Sequence, residues 1–334
     1  MEPRVSVLLP LRDAAATIDT ALASVQRQRE GRLECVVVDD GSRDDGALRV
    51  ARAAGRDSRV RLLRTGRHGL VSALQEGLAA CRAPFVARMD ADDWMHRDRL
   101  ALQLGRLEAS PELAALGSHV RLFPRAALGP GMRSYEAWLN GLRSPEEVSR
   151  EAFVECPLAH PTWLVRRELF ERISYREAEW PEDYDLLLRW RAAGALLGVL
   201  PRRLHGWRHG PQRLSQRSPV YATDRFTACK AAFLASGFLD AHTHYGLWGY
   251  GETGRTLRRE LASRGKRPGF ILELHPGRIG NRIHGAPVHP PERLPELPRL
   301  PLIVSVAGLS ARAEIRERLS AMGFREGSDF LCAA

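Results

Sequence analysis

An α/β fold built on a mostly parallel sheet with helices on both faces is predicted by three observations. Short apolar runs alternate with amphipathic stretches over the first 90 residues, two acidic clusters follow directly on apolar runs, and strand and helix patterns resume near residue 244 around a glycine-rich turn. Val5–Pro10 (VSVLLP) reads as a buried strand, and Ala15–Gln28 as a helix that places Ile18, Leu22 and Val25 on one face. Leu33–Asp40 (LECVVVDD) is a second strand, Asp44–Gly55 a helix, Arg59–Thr65 a strand, Leu70–Cys81 a helix and Pro84–Asp90 a strand. The order β-α-β-α-β-α-β favours a parallel sheet, in which ligands bind beyond the carboxyl ends of the strands. Both acidic clusters, Asp39–Ser42 (DDGS) and Met89–Asp93 (MDADD), stand at such ends and would share one edge.

Three carboxylates within four positions, Asp90, Asp92 and Asp93, repel one another. Solvent, the start of a helix or a divalent cation would neutralise them.

Composition limits the partners. A chain of 334 residues with 44% hydrophobic residues exceeds a single core, so two domains are expected: 1–215 and 244–334, joined by a helical linker over 216–243. No stretch approaches the roughly 18 apolar residues a membrane span needs, and MEPRVSVLLPLRD is charged too early for a signal peptide. A cytoplasmic protein is expected. The formal charge of +10 comes almost wholly from arginine, with Lys230 and Lys266 the only lysines, and the arginines are scattered. That pattern describes a solvated surface and no nucleic-acid footprint. Attraction to anionic lipid, with peripheral association at the inner face of a membrane, stays open, as does a homo-oligomer. Cys35, Cys81, Cys156, Cys229 and Cys332 are dispersed and odd in number, which argues against a disulfide framework or a zinc site.

Four ordered stretches, SVLLPLRDAAATIDTALASVQRQ, VVVDDGSRDD, GLVSALQEGLAACRAPFVARMDADDW and WPEDYDLLLRW, closely resemble the family 2 glycosyltransferases, over about residues 1–215. The resemblance implies the GT-A nucleotide-diphospho-sugar transferase fold, and transfer of a sugar from a nucleotide-sugar donor with inversion, assisted by Mg²⁺ or Mn²⁺. The acceptor would be a glycan, a lipid-linked sugar or a small molecule, as in polysaccharide biosynthesis. A divalent cation held by carboxylates can take up the charge of a departing nucleoside diphosphate. In the matching D-x-D motif Asp92 would bind the metal, while Asp90, beside Ala91, would orient the ribose or a metal-bound water. The alternative is that Asp92 or Asp93 caps a following helix.

Asp39 would face the uracil or ribose; the alternative is a turn capped by Asp40 or Ser42. Pro10, Leu11 and Arg12 stand where the family shows P-x-Y-N, so a guanidinium replaces the aromatic ring. Backbone at Gly69 and Leu70 would approach the donor, with Gln75 in place of a common asparagine. Inversion needs a base for the acceptor hydroxyl. Within PEDYD the family motif assigns that role to Asp183, with Glu182 and Asp185 as competitors, although acids at a helix start also answer its dipole. His160 and Thr162 resemble the acceptor side. His209 resembles a loop histidine that reaches the metal or the diphosphate.

Beyond residue 215, Tyr221–Leu239 reads as a connecting helix. HYGLWGYGETGRTLRRELASRGKRPGFILEL then supplies strand, G-x-G-x-x-G (Gly249, Gly251, Gly254), helix and strand, with Glu273 placed to hold a ribose. This region resembles the small Rossmann-like domains of sugar-modifying acyltransferases. It would be a second nucleotide site or a packing module of non-redox character. Two rival readings remain: an NAD(P)-dependent oxidoreductase using that loop, and a non-enzymatic nucleotide-sugar sensor. The pairing of Asp92 with Asp183 argues against the sensor.

Overall fold

The computed structural model of the protein describes residues 2–210 and 213–334. In chain order the elements are β1 Val5–Leu11, α1 Ile18–Gln26, β2 Leu33–Asp39, α2 Gly46–Ala54, β3 Val60–Arg64, α3 Leu70–Ala80, β4 Phe85–Arg88, β5 Trp94–Met95, α4 Arg99–Ala109 and β6 Leu113–Phe123. They continue with α5 Pro130–Leu139, α6 Pro145–Glu151, β7 Leu164–Arg166, α7 Arg167–Arg172, α8 Glu182–Ala192, β8 Leu196–Arg208, α9 Leu214–Arg217, α10 Thr223–Ser236, β9 His244–Trp248 and α11 Glu252–Ala262. The last are β10 Arg267–Leu272, β11 Arg282–Ile283, β12 Ala286–His289, β13 Leu302–Val304, α12 Leu309–Ala321 and β14 Phe330–Cys332.

The chain divides into two compact units. The first comprises residues 1–148, 157–178 and 189–217, and the second 149–156, 179–188 and 218–334. The second unit thus draws two short segments from within the first 215 residues.

Among the described residues the first unit holds a sheet ordered β3-β2-β1-β4-β7-β6-β8-β5. Strands β3, β2, β1 and β4 run parallel, and β7 is antiparallel to both β4 and β6. β1 and β2 are buried on both faces, which is why they read as continuous apolar runs. Helix α1 seats Ile18, Ala21, Leu22 and Val25 in the core, and α3 approaches the sheet so closely that a Cβ on Gly77 would lie 2.2 Å from Leu8 Cδ1.

The register explains Pro10. β4 pairs with β1 only from Val5 to Leu8 and leaves after Met89 donates to the Leu8 carbonyl. Pro10 therefore lies on a flank of β1 where no ladder partner follows, and its missing N–H costs no pairing there. A gap opens between the carboxyl ends of β1 and β4, with β2 and β3 to one side and β4 to the other. This is a topological switch point. At the opposite edge a buried polar knot closes the sheet: Glu34 accepts from Ser6 Oγ at 2.7 Å, from the Arg82 N–H at 2.6 Å and from Arg61 at 2.7 Å.

In the second unit the sheet is ordered β11-β12-β10-β9-β13-β14, and every pairing except the β11–β12 hairpin is parallel. The two borrowed segments are tied in by side chains. Lys230, buried on α10, donates to the Val154 carbonyl at 2.6 Å and to the Ala333 carbonyl at 3.1 Å. Arg316 pairs with Glu151 at 2.7 Å, and the Tyr184 hydroxyl donates to the Ala152 carbonyl at 2.8 Å.

Candidate active site

The switch point of the first unit gathers the predicted donor residues. Leu11 and Asp39 are register partners, as are Asp39 and Arg64, and β4 runs parallel to β1 and ends at Arg88 opposite Leu8, so both acidic clusters stand at one edge. Asp39 is buried; its Oδ1 accepts the Ser42 N–H at 3.0 Å, and its carbonyl accepts the Thr65 N–H at 3.1 Å. Asp40, also buried, accepts the N–H groups of His68 and Gly69 at 2.8 and 3.0 Å and pairs with Arg12 at 3.0 Å. Gly69 has φ 97°, a conformation open to glycine at low cost, and it starts α3 with Leu70 next. Helix α2 begins only at Gly46, so neither Asp40 nor Ser42 caps it.

A second cluster follows β4. One oxygen from each of Asp90, Asp92 and Asp93 lies within 4.8 Å of the others. Helix α4 starts at Arg99, which removes the helix-cap alternative for Asp92 and Asp93. The three acids are differently supported. Arg88 pairs with Asp90 at 2.6 Å and Arg213 approaches it at 3.8 Å; against the effect of burial, the charge of Arg88 and then of Arg213 holds Asp90 below the usual carboxylate range.

Asp93 is fully buried, and its oxygens accept the Arg208 N–H at 2.7 Å and the His205 ring at 2.8 Å. Arg99 can only donate, and its contact with His205 Nδ1 at 3.1 Å leaves the imidazole hydrogen on Nε2, pointing to Asp93. Burial, then the Arg99 charge, keeps His205 neutral well below its ordinary range. The Asp92 carbonyl accepts from Arg208 Nε at 2.7 Å.

Burial, then the charges of Asp93 and Asp90, push Asp92 up to about 7; burial, then Asp90, pushes Asp93 up to about 8. Left to themselves the three carboxylates resist full ionisation at neutral pH, and a divalent cation relieves that. The donor set, all carboxylate oxygen, fits Mg²⁺ or Mn²⁺. Asp90 is shared with Arg88 and Arg213, and Asp93 is held by His205 and the Arg208 N–H. His209 is not in this group; its N–H donates to the Phe123 carbonyl at 2.7 Å. Sequence reasoning missed Arg88, Arg99, His205, Arg208 and Arg213.

On the expected acceptor side, His160 and Thr162 form a single 3₁₀ turn and both are buried. The Thr162 hydroxyl donates to the Ala159 carbonyl at 2.6 Å, and His160 Nε2 meets the Tyr175 hydroxyl at 2.6 Å. Both side chains hold the turn together. Gln75 donates to the Tyr175 carbonyl at 2.9 Å.

In the second unit the three acids of PEDYD open α8 and separate by environment. Asp185 is fully buried and accepts from Trp180 Nε1 at 2.9 Å; Glu182 is buried and accepts from the Tyr221 hydroxyl at 2.5 Å. Asp183 is half-buried, the most accessible of the three.

The same unit carries the glycine-rich turn. Gly249 has φ 94°, and a Cβ on Gly254 would meet the Gly249 carbonyl oxygen at 2.4 Å, which is the close strand-to-helix approach that the motif requires. Glu273, expected to hold a ribose, accepts from the Tyr250 and Leu274 N–H groups at 3.2 and 2.9 Å and pairs with Arg278 at 2.9 Å.

Residues 6–174, half of the chain, match the family model described as glycosyl transferase family 2. An uncharacterized glycosyltransferase of Haemophilus influenzae is 24% identical over 230 residues, 66% of this chain and 68% of that protein. The uncharacterized glycosyltransferase EpsJ of Bacillus subtilis is 24% identical over 265 residues, 75% and 72% of the two chains. The O-antigen biosynthesis protein RfbC of Myxococcus xanthus is 31% identical over 220 residues, 64% of this chain but 16% of that larger protein. Among solved structures, S. aureus TarS in complex with UDP has a TM-score of 0.54 at 16% identity, covering 78% of this chain and 71% of that one. The mannosyltransferase PcManGT from Pyrobaculum calidifontis, in complex with GDP-Man and Mn²⁺, has a TM-score of 0.50 at 20% identity, covering 79% and 70%. These likenesses bear out a GT-A type fold, and with the family match over the donor half, the chain belongs to glycosyl transferase family 2.

Proposed function

We propose that this protein is an inverting glycosyltransferase that moves a sugar from a nucleoside-diphosphate sugar, a UDP-sugar by preference, to a hydroxyl of a glycan, a lipid-linked sugar or a small molecule. The observation that carries the reading is the Asp90, Asp92 and Asp93 group at the switch point of a family 2 chain. The UDP complex of TarS and the GDP-Man and Mn²⁺ complex of PcManGT support a nucleotide-sugar donor and a divalent ion, and the RfbC relative supports a place in polysaccharide synthesis.

Asp92, with Asp90, would hold Mg²⁺ or Mn²⁺, which supplies charge neutralisation for the leaving diphosphate. Pro10, Leu11, Arg12, Asp39, Gly69 and Leu70 would bound the nucleoside. Asp183 would act as the base: its carboxylate takes the proton of the acceptor hydroxyl as that oxygen bonds to the anomeric carbon and the diphosphate leaves from the opposite face. Its greater exposure than that of Glu182 and Asp185 favours it within the motif, with Oδ1 accepting the Tyr184 N–H at 2.7 Å. His160 and Thr162 would act on the acceptor side through the shape of their turn.

The glycine-rich region over residues 244–334 we assign an accessory, non-redox role, because Glu273 is engaged by Tyr250 and Arg278. Gly251 makes a clean probe of this assignment: a Cβ there meets nothing within 4 Å, so Gly251→Val should fold normally and leave no NAD(H) binding to lose. No described helix is long and apolar enough to cross a membrane. Separately, we propose a cytoplasmic protein that can associate peripherally with the inner membrane face.

The test is a thermal-shift screen of nucleotide sugars with and without Mn²⁺, followed by Asp183→Asn. The variant should keep donor affinity and lose about 10²–10⁴-fold in turnover. Full activity would move the base to Glu182 or Asp185, and no stabilisation by any nucleotide sugar would end the donor reading.

A further inference from the structure

Arg213 follows the described end of β8 and begins the approach to α9. Its guanidinium lies over the Trp207 ring at 4.8 Å, donates to the Arg208 carbonyl at 2.9 Å and reaches Asp90 at 3.8 Å. The side chain is only 15% exposed, and its charge favours the ionised form at all three acids of the cluster. Arg88, by contrast, sits below the cluster within β4. Arg213 comes from the loop side, on an aromatic platform that Tyr135 supports from 6.2 Å.

We propose that Arg213 is a counter-cation carried by the chain for its own metal cluster, exchanged when the donor arrives: a divalent ion takes over the charge on Asp90 and Asp92, and the guanidinium turns to the diphosphate. The inference rests on the metal-assisted reading above and extends it to a residue that reading does not use. The physical ground is competition for the same negative charge. A guanidinium 3.8 Å from Asp90 and a divalent ion in the same cluster repel each other in a setting where charge is poorly screened. A bound diphosphate brings negative charge that both cations can share, and a planar fork on a fixed stacking surface suits bidentate contact with phosphate oxygens. Arg213 should therefore oppose metal binding without nucleotide and support nucleotide binding with metal.

The experiment compares wild type, Arg213→Met and Arg213→Lys by titration with Mn²⁺ alone, followed by spin resonance of the free ion, and with UDP in saturating Mn²⁺, followed by calorimetry. Arg213→Met should bind Mn²⁺ alone about three- to tenfold more tightly, because a nearby positive charge is gone. It should bind UDP about tenfold more weakly, because a charge-assisted contact is lost. Arg213→Lys should return the Mn²⁺ affinity most of the way to wild type and UDP affinity only in part. A structural role would shift both affinities together or shift neither, so only opposite shifts support the exchange, and any other combination overturns it. If the wild type binds UDP equally well with and without Mn²⁺, the metal reading fails and the exchange with it; if it binds no UDP in either condition, the donor reading fails as well.

Discussion

His205 offers a test of how the acidic cluster is held. The ring is fully buried between Arg99, 3.1 Å from Nδ1, and Asp93, 2.8 Å from Nε2, so it must accept on one side and donate on the other. His205→Ala removes both functions. Asp93 keeps one donor, the Arg208 N–H, and Arg99 keeps Gln103 Oε1 and the carbonyls of Arg88 and Trp163. A buried carboxylate stripped of one donor costs about 1–3 kcal/mol, the orphaned Arg99 N–H a comparable amount, and the vacated ring volume adds to both. About 4 kcal/mol of lost stability is expected in total, within the range for breaking a buried charged network. His205→Gln is the control, since an amide can present oxygen to Arg99 and N–H to Asp93; it should cost less than half as much. Urea unfolding at pH 7.5, read by the midpoint at unchanged slope, measures both. A loss below about 1 kcal/mol for His205→Ala, or equal damage from the two variants, would refute the hold of His205 on Asp93.

Gly77→Ala should destabilise by about 1–2 kcal/mol even though alanine is the better helix former by roughly 1 kcal/mol, because the new Cβ would meet Leu8 Cδ1 at 2.2 Å and Val38 Cγ2 at 2.8 Å; a higher thermal midpoint would contradict this packing. His160 is kept neutral by burial, then by the charge of Arg88. The unfolded chain therefore takes up a proton near pH 6.5 that the folded state refuses, and stability is full above that pH and declines below it, by up to about 1.4 kcal/mol per pH unit. His160→Gln should flatten the slope of stability against pH between 6.5 and 5 by one proton, and an unchanged slope would show the assignment wrong.

The donor half was legible because its elements are local. Strands β1 and β2 are unbroken apolar runs, and α1 carries its buried face at helical spacing. The clusters at Asp39 and Asp90 follow from chain order once the sheet is parallel. Strands β6 and β8 were not anticipated. β8 reads LLGVLPRRLHGWR, whose Pro201 and run of charge mask its pairing with β6, and the pairing itself shifts register near Ser118. The second tier of the site was hidden for a related reason. His205 reaches Asp93 across 112 positions and Arg99 across 106, and no periodicity records such a contact. Ion pairing of Asp90 with Arg88 was equally invisible, since alternation along a strand suggests a core position at 88. Glu182, Asp183 and Asp185 looked alike in sequence, and burial, with the donors Trp180 and Tyr221, distinguishes them.

The ties that close the second unit also set an order of events during synthesis. Glu151 leaves the ribosome long before Arg316, and Glu182 leaves 39 positions before Tyr221, yet each pair must meet for the unit to close. The helix start that carries Asp183 therefore waits for chain made much later, and vectorial folding cannot finish this unit in the order it is read. A premature stop after the donor half would release a polypeptide with its nucleotide-facing sheet complete and its proposed base unsupported. Recombination at that point would meet the same obstacle: the later segment cannot be exchanged as an independent module, because residues 149–156 and 179–188 would have to travel with it.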